Sequence, residues 1–213
     1  MQEWSAYARI VTTLFVIANP VGAMPFFMSL TAGQTLEERK RTAHLAAATV
    51  ALVLMSAAVV GDSVLRVFGI HIASFRVGGG ILILLMAIAM LHASPSRTRH
   101  TPEEAAEAAE KDGVAVVPLG IPLIAGPGAI STVIIYAQQA TRWWDMVFLL
   151  LASVFVAVSV WAALRLADPV SRALGQTGIN IVTRLLGLML AAVAVEFITG
   201  GLVQLFPSLA APR

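Results

Sequence analysis

The 213-residue sequence has no cysteine and few charged residues, and both shortages narrow what the protein can do. Without cysteine, disulfides, thiolate catalysis, Fe–S clusters and cysteine-based zinc sites are excluded. Charged residues make up 12% of the chain, against about 25% in soluble domains. Hydrophobic residues make up 58%, and the mean hydropathy is +0.85. The composition therefore predicts an integral membrane protein.

Six apolar stretches follow one another along the chain, and several exceed the length of about 18 residues that a spanning helix needs. This length favours helices over barrel strands. The stretches predict a single all-α transmembrane domain with six spanning helices and a polar connecting segment at 93–113. The spans cover about 7–30, 43–65, 73–92, 114–139, 145–167 and 180–206.

Proline and glycine cluster inside the first and fourth spans. Proline has no backbone N–H and its ring crowds the preceding turn, whereas glycine tolerates non-helical dihedral angles. We therefore expect the first and fourth helices to be discontinuous. Lipid cannot satisfy the freed backbone groups, so the breaks should face protein or water. The clusters contain Pro20, Gly22 and Pro25 in the first span, and Pro118, Gly120, Pro122, Gly126, Pro127 and Gly128 in the fourth.

An internal repeat relates the two halves of the chain. Residues 64–69 resemble 170–175, and residues 69–79 resemble 178–187. Each half holds three crossings, an odd number, so the second half enters the membrane from the opposite side. The sequence thus predicts two inverted three-helix repeats, 1–92 and 114–213, an architecture that recurs in secondary transporters. Nine of the fourteen Lys and Arg residues fall on the side that this topology makes cytoplasmic, which predicts that both termini lie outside.

Two broken helices meeting at mid-membrane would present helix ends of both polarities. A helix N-terminus favours a carboxylate, and free carbonyl groups favour an ammonium group or a small cation. A small zwitterionic amino acid needs both. For Ser131 and Thr132, the alternative role is hydrogen bonding between helices. The predicted substrate-binding residues are Asn19, Pro20, Gly22, Gly126, Pro127, Gly128, Ser131 and Thr132.

Two acidic residues lie in apolar surroundings, where a carboxylate is costly and is a functional candidate. Asp62 comes four residues before Arg66, so we expect an interfacial salt bridge. Glu196 lies deeper in the last span and is the candidate for carrying a coupling proton. The sequence leaves the coupling ion open between a proton and sodium. It predicts no cofactor and no metal. It also predicts no nucleic-acid partner, because the basic residues are scattered among loops.

Three motifs, at 19–25, 118–132 and 178–184, closely resemble the MarC family of bacterial inner-membrane proteins. The resemblance covers nearly the whole chain. It implies a six-helix protein related to archaeal transporters of small neutral amino acids such as glycine and alanine. It also implies a substrate site at the two broken helices, on Asn19, Pro20, Gly22, Gly126, Pro127 and Gly128.

The leading hypothesis is therefore a secondary transporter of small neutral amino acids that works by alternating access. We expect no enzymatic activity, since Ser131 lacks a Gly-x-Ser-x-Gly context and no histidine falls at a comparable depth. A channel would need a ring of pore-lining residues from an oligomer. The sequence leaves the oligomeric state and the transport direction open, as well as the alternative of a non-transporting protein of the envelope or stress response.

Overall fold

The computed structural model of the protein describes residues 2–92, 115, 120 and 124–210, and these residues form helices without any strand. The prediction of an all-α protein is confirmed. The helices are α1 (Gln2–Ala18), α2 (Pro20–Leu30), α3 (Leu36–Val67), α4 (Ile72–Leu91), α5 (Pro127–Gln139), α6 (Trp143–Arg165) and α7 (Ala167–Leu205), followed by a 3₁₀ helix, Pro207–Ala210.

Five stretches of the described residues are long and apolar enough to cross a bilayer. The fourth predicted span, 114–139, is described mainly over α5, whose 13 residues reach about 20 Å. The polar connecting segment 93–113 lies outside the described residues, as do Pro118 and Pro122. The five stretches are Ser5–Leu30, Leu36–Val67, Ile72–Leu91, Trp143–Arg165 and Thr177–Leu205.

The bundle has two faces, which the ends of α6 define. With 23 residues, α6 is about 35 Å long. Near its start, Asp145 accepts a hydrogen bond of 2.7 Å from the Tyr7 hydroxyl of α1. We call this the N-terminal face. Just beyond the end of α6, Asp168 contacts Arg39 near the start of α3, and this defines the opposite face.

Local signals set several of the helix ends. At the start of α3, Thr35 and Glu38 form a capping box, in which the Glu38 carboxylate accepts the Thr35 N–H at 2.7 Å. Two glycines with positive φ lie at the ends of the repeated segments 64–69 and 170–175. Gly69, with φ 65°, closes the turn after α3, and Gly175, with φ 61°, kinks α7. Residues other than glycine rarely adopt this backbone conformation, so these turns depend on the residue type.

Helix packing places α5 in the interior. Along α5 the residues from Gly128 to Tyr136 are buried, with the exception of the half-buried Ile130. Around it, α4 packs along α7 and α3 packs along α6, while α1 and α2 contact both α6 and α7. At Gly80 of α4, an added Cβ would lie 3.0 Å from the Ala194 carbonyl oxygen of α7. The backbones of α4 and α7 therefore approach closely, as small residues allow in membrane bundles.

Candidate substrate site at the interrupted helices

The predicted interruption of the first span lies at Asn19. This residue has φ 44° and ψ 63°, the left-handed conformation, and it is the one non-glycine residue with positive φ in the described part of the chain. Its N–H still bonds to the Phe15 carbonyl at 3.0 Å, so it ends α1. Its side-chain oxygen accepts the Gly22 N–H at 3.0 Å, so it also caps α2. Asparagine tolerates this conformation better than most residues.

Proline chemistry leaves carbonyl groups around this break without helical partners. Pro20 opens α2 and Pro25 lies inside it. Because neither residue has an N–H, the carbonyl oxygens four residues earlier, on Val16 and Val21, cannot receive the usual helical hydrogen bond. Val16 is 3% exposed and Pro20 is also buried. The first break thus presents carbonyl oxygens inside the protein.

The second predicted interruption coincides with the N-terminus of α5. Gly126 has an extended backbone, with φ −75° and ψ 177°, and Pro127 is the first residue of the helix. Immediately before it, the Ala125 N–H bonds to the Gly120 carbonyl at 2.9 Å, a wider turn than in an α-helix. Gly126 has no side chain with which to cap the N–H groups of Gly128 and Ala129. Unlike α2, α5 therefore begins without a side-chain cap from the residue that precedes it.

The bundle brings the two interruptions together. An added Cβ on Gly128 would lie 3.8 Å from Ile17 Cγ2, one residue before the end of α1. The same atom would lie 2.9 Å from the Met86 sulfur and 3.3 Å from Ile83, both on α4. Ile17 and Gly128 are buried. The start of α5 thus lies against the end of α1, where any side chain larger than hydrogen would meet its neighbours.

The two hydroxyl residues of α5 face different surroundings. Thr132, which is fully buried, donates its hydroxyl to the Gly128 carbonyl of its own helix at 2.8 Å. Ser131 packs against α4, where an added Cβ on Gly79 would lie 2.8 Å from the serine Cβ. For Thr132 the hydroxyl proton is thus held within α5, and the oxygen keeps its capacity to accept a hydrogen bond.

The remaining predicted residues differ in their exposure and in their contacts. Gly22 lies against the Asn19 amide, which occupies the space that a Cβ would need, and Pro127 is exposed although both neighbours are buried. Glu196 is exposed on α7. Asp62 pairs with Arg66, as its spacing predicted. The structure therefore groups the glycine, proline and hydroxyl residues near the breaks, and places Glu196 on the surface of the single chain.

Sequence reasoning missed three polar contacts between distant helices. The Tyr136 hydroxyl of α5 donates to Thr13 Oγ1 of α1 at 3.2 Å, and both residues are buried. The others are the Tyr7–Asp145 bond and the Arg39–Asp168 ion pair. Polar residues inside apolar spans were a usable signal for Thr13 and Tyr136. No sequence signal identifies their partners, because the residues are more than a hundred positions apart.

The family model and the relatives that match this chain agree with one another. A family described as MarC family integral membrane protein matches residues 4–206. The membrane protein YhcE of Escherichia coli is 38% identical over 97% of this chain and 96% of its own length. YvbG of Bacillus subtilis is 35% identical over 97% and 98%, and MJ0972 of Methanocaldococcus jannaschii is 36% identical over 92% and 86%. All three carry the description UPF0056 membrane protein. No solved structure matches the chain significantly.

Proposed function

The chain belongs to the MarC family of integral membrane proteins, and we propose that it is a secondary transporter of small neutral amino acids. The observation that carries this proposal is the contact between the two helix interruptions, where Ile17 lies against Gly128. Interrupted helices at the centre of a bundle are the usual substrate site of secondary transporters. Alternating access would expose this site to each side of the membrane in turn.

The two breaks offer complementary chemistry to a zwitterion. At the second break, the Gly128 and Ala129 N–H groups begin a helix without a side-chain cap, and a helix N-terminus attracts a carboxylate. At the first break, Asn19 already occupies the Gly22 N–H, so the helix N-terminus there is a poorer anion site. The carbonyl groups of Val16 and Val21, which proline deprives of helical partners, suit an ammonium group. We therefore assign the carboxylate to α5 and the ammonium group to the first break.

The size of the lining favours glycine and alanine. Gly128 is enclosed by Ile17, Ile83 and Met86 at distances that leave no room for a larger side chain. Ser131 and Thr132, one turn further along α5, are buried and add hydroxyl oxygens without bulk. Ile17, Ile83 and Met86 already lie against Gly128, so any entering substrate must displace them, and overpacking by a bulky one costs about 1–3 kcal/mol more.

The inverted repeat is part of the same proposal. Equivalent elements of residues 1–92 and 114–213 pair with each other, α3 with α6 and α4 with α7. A second pair of contacts follows the same equivalence between the halves: α2 packs on α7, and its counterpart α5 packs on α4. Gly69 and Gly175, at the ends of the repeated motifs, share a positive φ. Two similar units of opposite orientation would rock about the site between them, with both termini outside the bacterial inner membrane.

Uptake into proteoliposomes tests the proposal. Purified protein should accumulate labelled alanine when a proton or sodium gradient is imposed, and unlabelled glycine should compete. Gly126→Leu places a side chain at the buried start of α5 and should abolish uptake while membrane insertion is retained. Gly33→Leu is the matched control, since an added Cβ there meets nothing within 4 Å. Folded protein that takes up no small amino acid would overturn the proposal in favour of a non-transporting membrane protein.

A further inference from the structure

A cavity of about 320 Å³ opens at the N-terminal face between α1, α5 and α6. Its volume is at the lower end of the range for small-molecule sites. The lining is polar on the side of the α5–α6 turn, where it includes Gln139, Arg142 and Asp145, and Tyr7 adds a phenol from α1. Ile10 and Tyr136 form part of its wall deeper in the bundle. This cavity lies apart from the interrupted helices, and the proposed substrate site does not use it.

The cavity and the interrupted helices lie on one interface. Along α1, Ile10 is in the cavity wall, Thr13 follows three residues later, and Ile17 follows after one further turn. Along α5, Tyr136 is in the cavity wall, and Gly128 lies two turns earlier at the contact with Ile17. The i to i+3 and i+4 spacing keeps these positions on one side of each helix. The α1–α5 interface thus leads from the cavity to the breaks.

One hydrogen bond closes this interface between its two ends. The Tyr136 hydroxyl donates to Thr13 Oγ1 at 3.2 Å, with Thr13 only 3% exposed and Tyr136 only 9% exposed. The Tyr136 ring is fixed from the other side by the Phe197 ring of α7, at a centroid distance of 6.0 Å. The bond joins α1 to α5 directly beneath the cavity. A solute in the cavity cannot pass between these helices while the bond and the ring remain in place.

We propose that the cavity is an entry site that holds a zwitterionic amino acid at the N-terminal face, and that the Thr13–Tyr136 hydrogen bond is the gate between this site and the interrupted helices. The inference rests on the proposed transport function for its ligand. Asp145 and Arg142 bring both signs of charge to the cavity lining, which matches a molecule with an ammonium and a carboxylate group. Opening requires that Tyr136 leave Thr13 and that α1 separate from α5.

Cysteine labelling tests the gate without a transport measurement, because the natural chain has no cysteine. Ala6→Cys places a thiol in the cavity lining, and Ile17→Cys places one beyond the gate. An impermeant maleimide is added to vesicles of known orientation, on the side of the N-terminal face. We expect Ala6→Cys to react readily and Ile17→Cys slowly. Adding Tyr136→Phe or Thr13→Val should raise the Ile17→Cys rate about fivefold, the effect of losing one hydrogen bond.

Thr199→Val is the matched control. It makes the same change as Thr13→Val, but the Thr199 hydroxyl bonds to the Val195 carbonyl of its own helix at 2.8 Å. It should leave both labelling rates unchanged. Equal Ile17→Cys rates in Thr13→Val, Tyr136→Phe and Thr199→Val proteins of equal thermal stability would overturn the gate.

Ligand protection tests the entry site. Millimolar glycine should slow the labelling of Ala6→Cys, and it should do so also in the Gly126→Leu background, where the deeper site is blocked. Glycine methyl ester and acetate, each with one charge, should protect less. Absence of protection by glycine would overturn the entry site. A protein that transports alanine yet shows no change of labelling would retain the proposed function and lose the gate, so the two proposals fail separately.

Discussion

Arg39 and Asp168, which are 129 positions apart, form an ion pair with two contacts, Nη1 to Oδ2 at 3.0 Å and Nη2 to Oδ1 at 3.1 Å. Arg39 Nε also donates to Thr31 Oγ1 at 3.2 Å, and the guanidinium lies over the Phe27 ring at 5.5 Å. One arginine therefore joins the end of α2, the start of α3 and the start of α7 at the opposite face. Two-contact geometry of this kind is specific to arginine.

Removal of this ion pair should loosen the opposite face. Because both side chains are partly exposed, we expect Arg39→Gln and Asp168→Asn each to cost about 1 kcal/mol. This lowers the Tm by about 2–4 °C for a chain of this size. The double variant should be little worse than either single variant, since each one already breaks the same pair. Thermal unfolding of the solubilised protein measures both effects.

Lys40→Gln provides the control for the ion pair. Lys40 pairs with Glu37 on the same helix, and the Glu37 side chain is 83% exposed. The change should cost less than Arg39→Gln or Asp168→Asn, because the pair of Lys40 and Glu37 lies in solvent. If Lys40→Gln and Arg39→Gln destabilise the protein equally, the contact between Arg39 and Asp168 contributes no more to the free energy of unfolding than an exposed ion pair does.

Substitution of Asn19 should destabilise the protein for two separate reasons, loss of a helix cap and strain of the backbone. Asn19→Ala removes the cap on the Gly22 N–H and also strains the left-handed backbone, for a combined cost of about 2 kcal/mol. Asn19→Gly removes the cap alone and should cost about half as much. Chemical or thermal unfolding of the two variants gives the order. An alanine variant that equals the glycine variant would mean that the backbone at this break relaxes without strain.

Two glycines of α4, Gly78 and Gly80, should respond in opposite ways to substitution by alanine. Gly80→Ala would place a Cβ 2.8 Å from Ile198 and 3.0 Å from the Ala194 carbonyl, so we expect a loss of about 1–3 kcal/mol. Gly78→Ala meets nothing within 4 Å and should raise stability by about 0.5–1 kcal/mol through helix propensity. Unfolding experiments in the same detergent compare them. Similar effects at both positions would contradict close packing of α4 on α7.

Glu196→Gln tests the role of this carboxylate as a coupling group. If Glu196 carries the coupling proton, its amide variant should still exchange labelled alanine for unlabelled alanine but should lose stimulation by a proton gradient. Exchange needs no net proton movement, whereas accumulation does. Glu37→Gln, at an exposed site near the start of α3, is the control. Undiminished proton-driven accumulation in Glu196→Gln would remove Glu196 from the mechanism and assign proton coupling to another group.

The positions of the interruptions were predictable because their causes are local. Pro20, Gly126 and Pro127 act on the backbone within one helical turn, so their effect does not depend on distant residues. The Asp62–Arg66 pair was predictable for the same reason, since four residues separate the partners on one helix. In contrast, the cap from Asn19 to Gly22 was not predicted, because it depends on the left-handed conformation of Asn19.

By itself, the sequence determined that this is a helical membrane protein and where prolines interrupt its helices, since apolar length and missing N–H groups are properties of the chain alone. Only the tertiary structure decided which helices meet: Ile17 with Gly128, Thr13 with Tyr136, and Arg39 with Asp168. The rotation and register of packed helices decide such contacts, and many nearby alternatives would bury the apolar faces almost equally well. Close approach at glycines and pairing of buried polar groups select one of these arrangements.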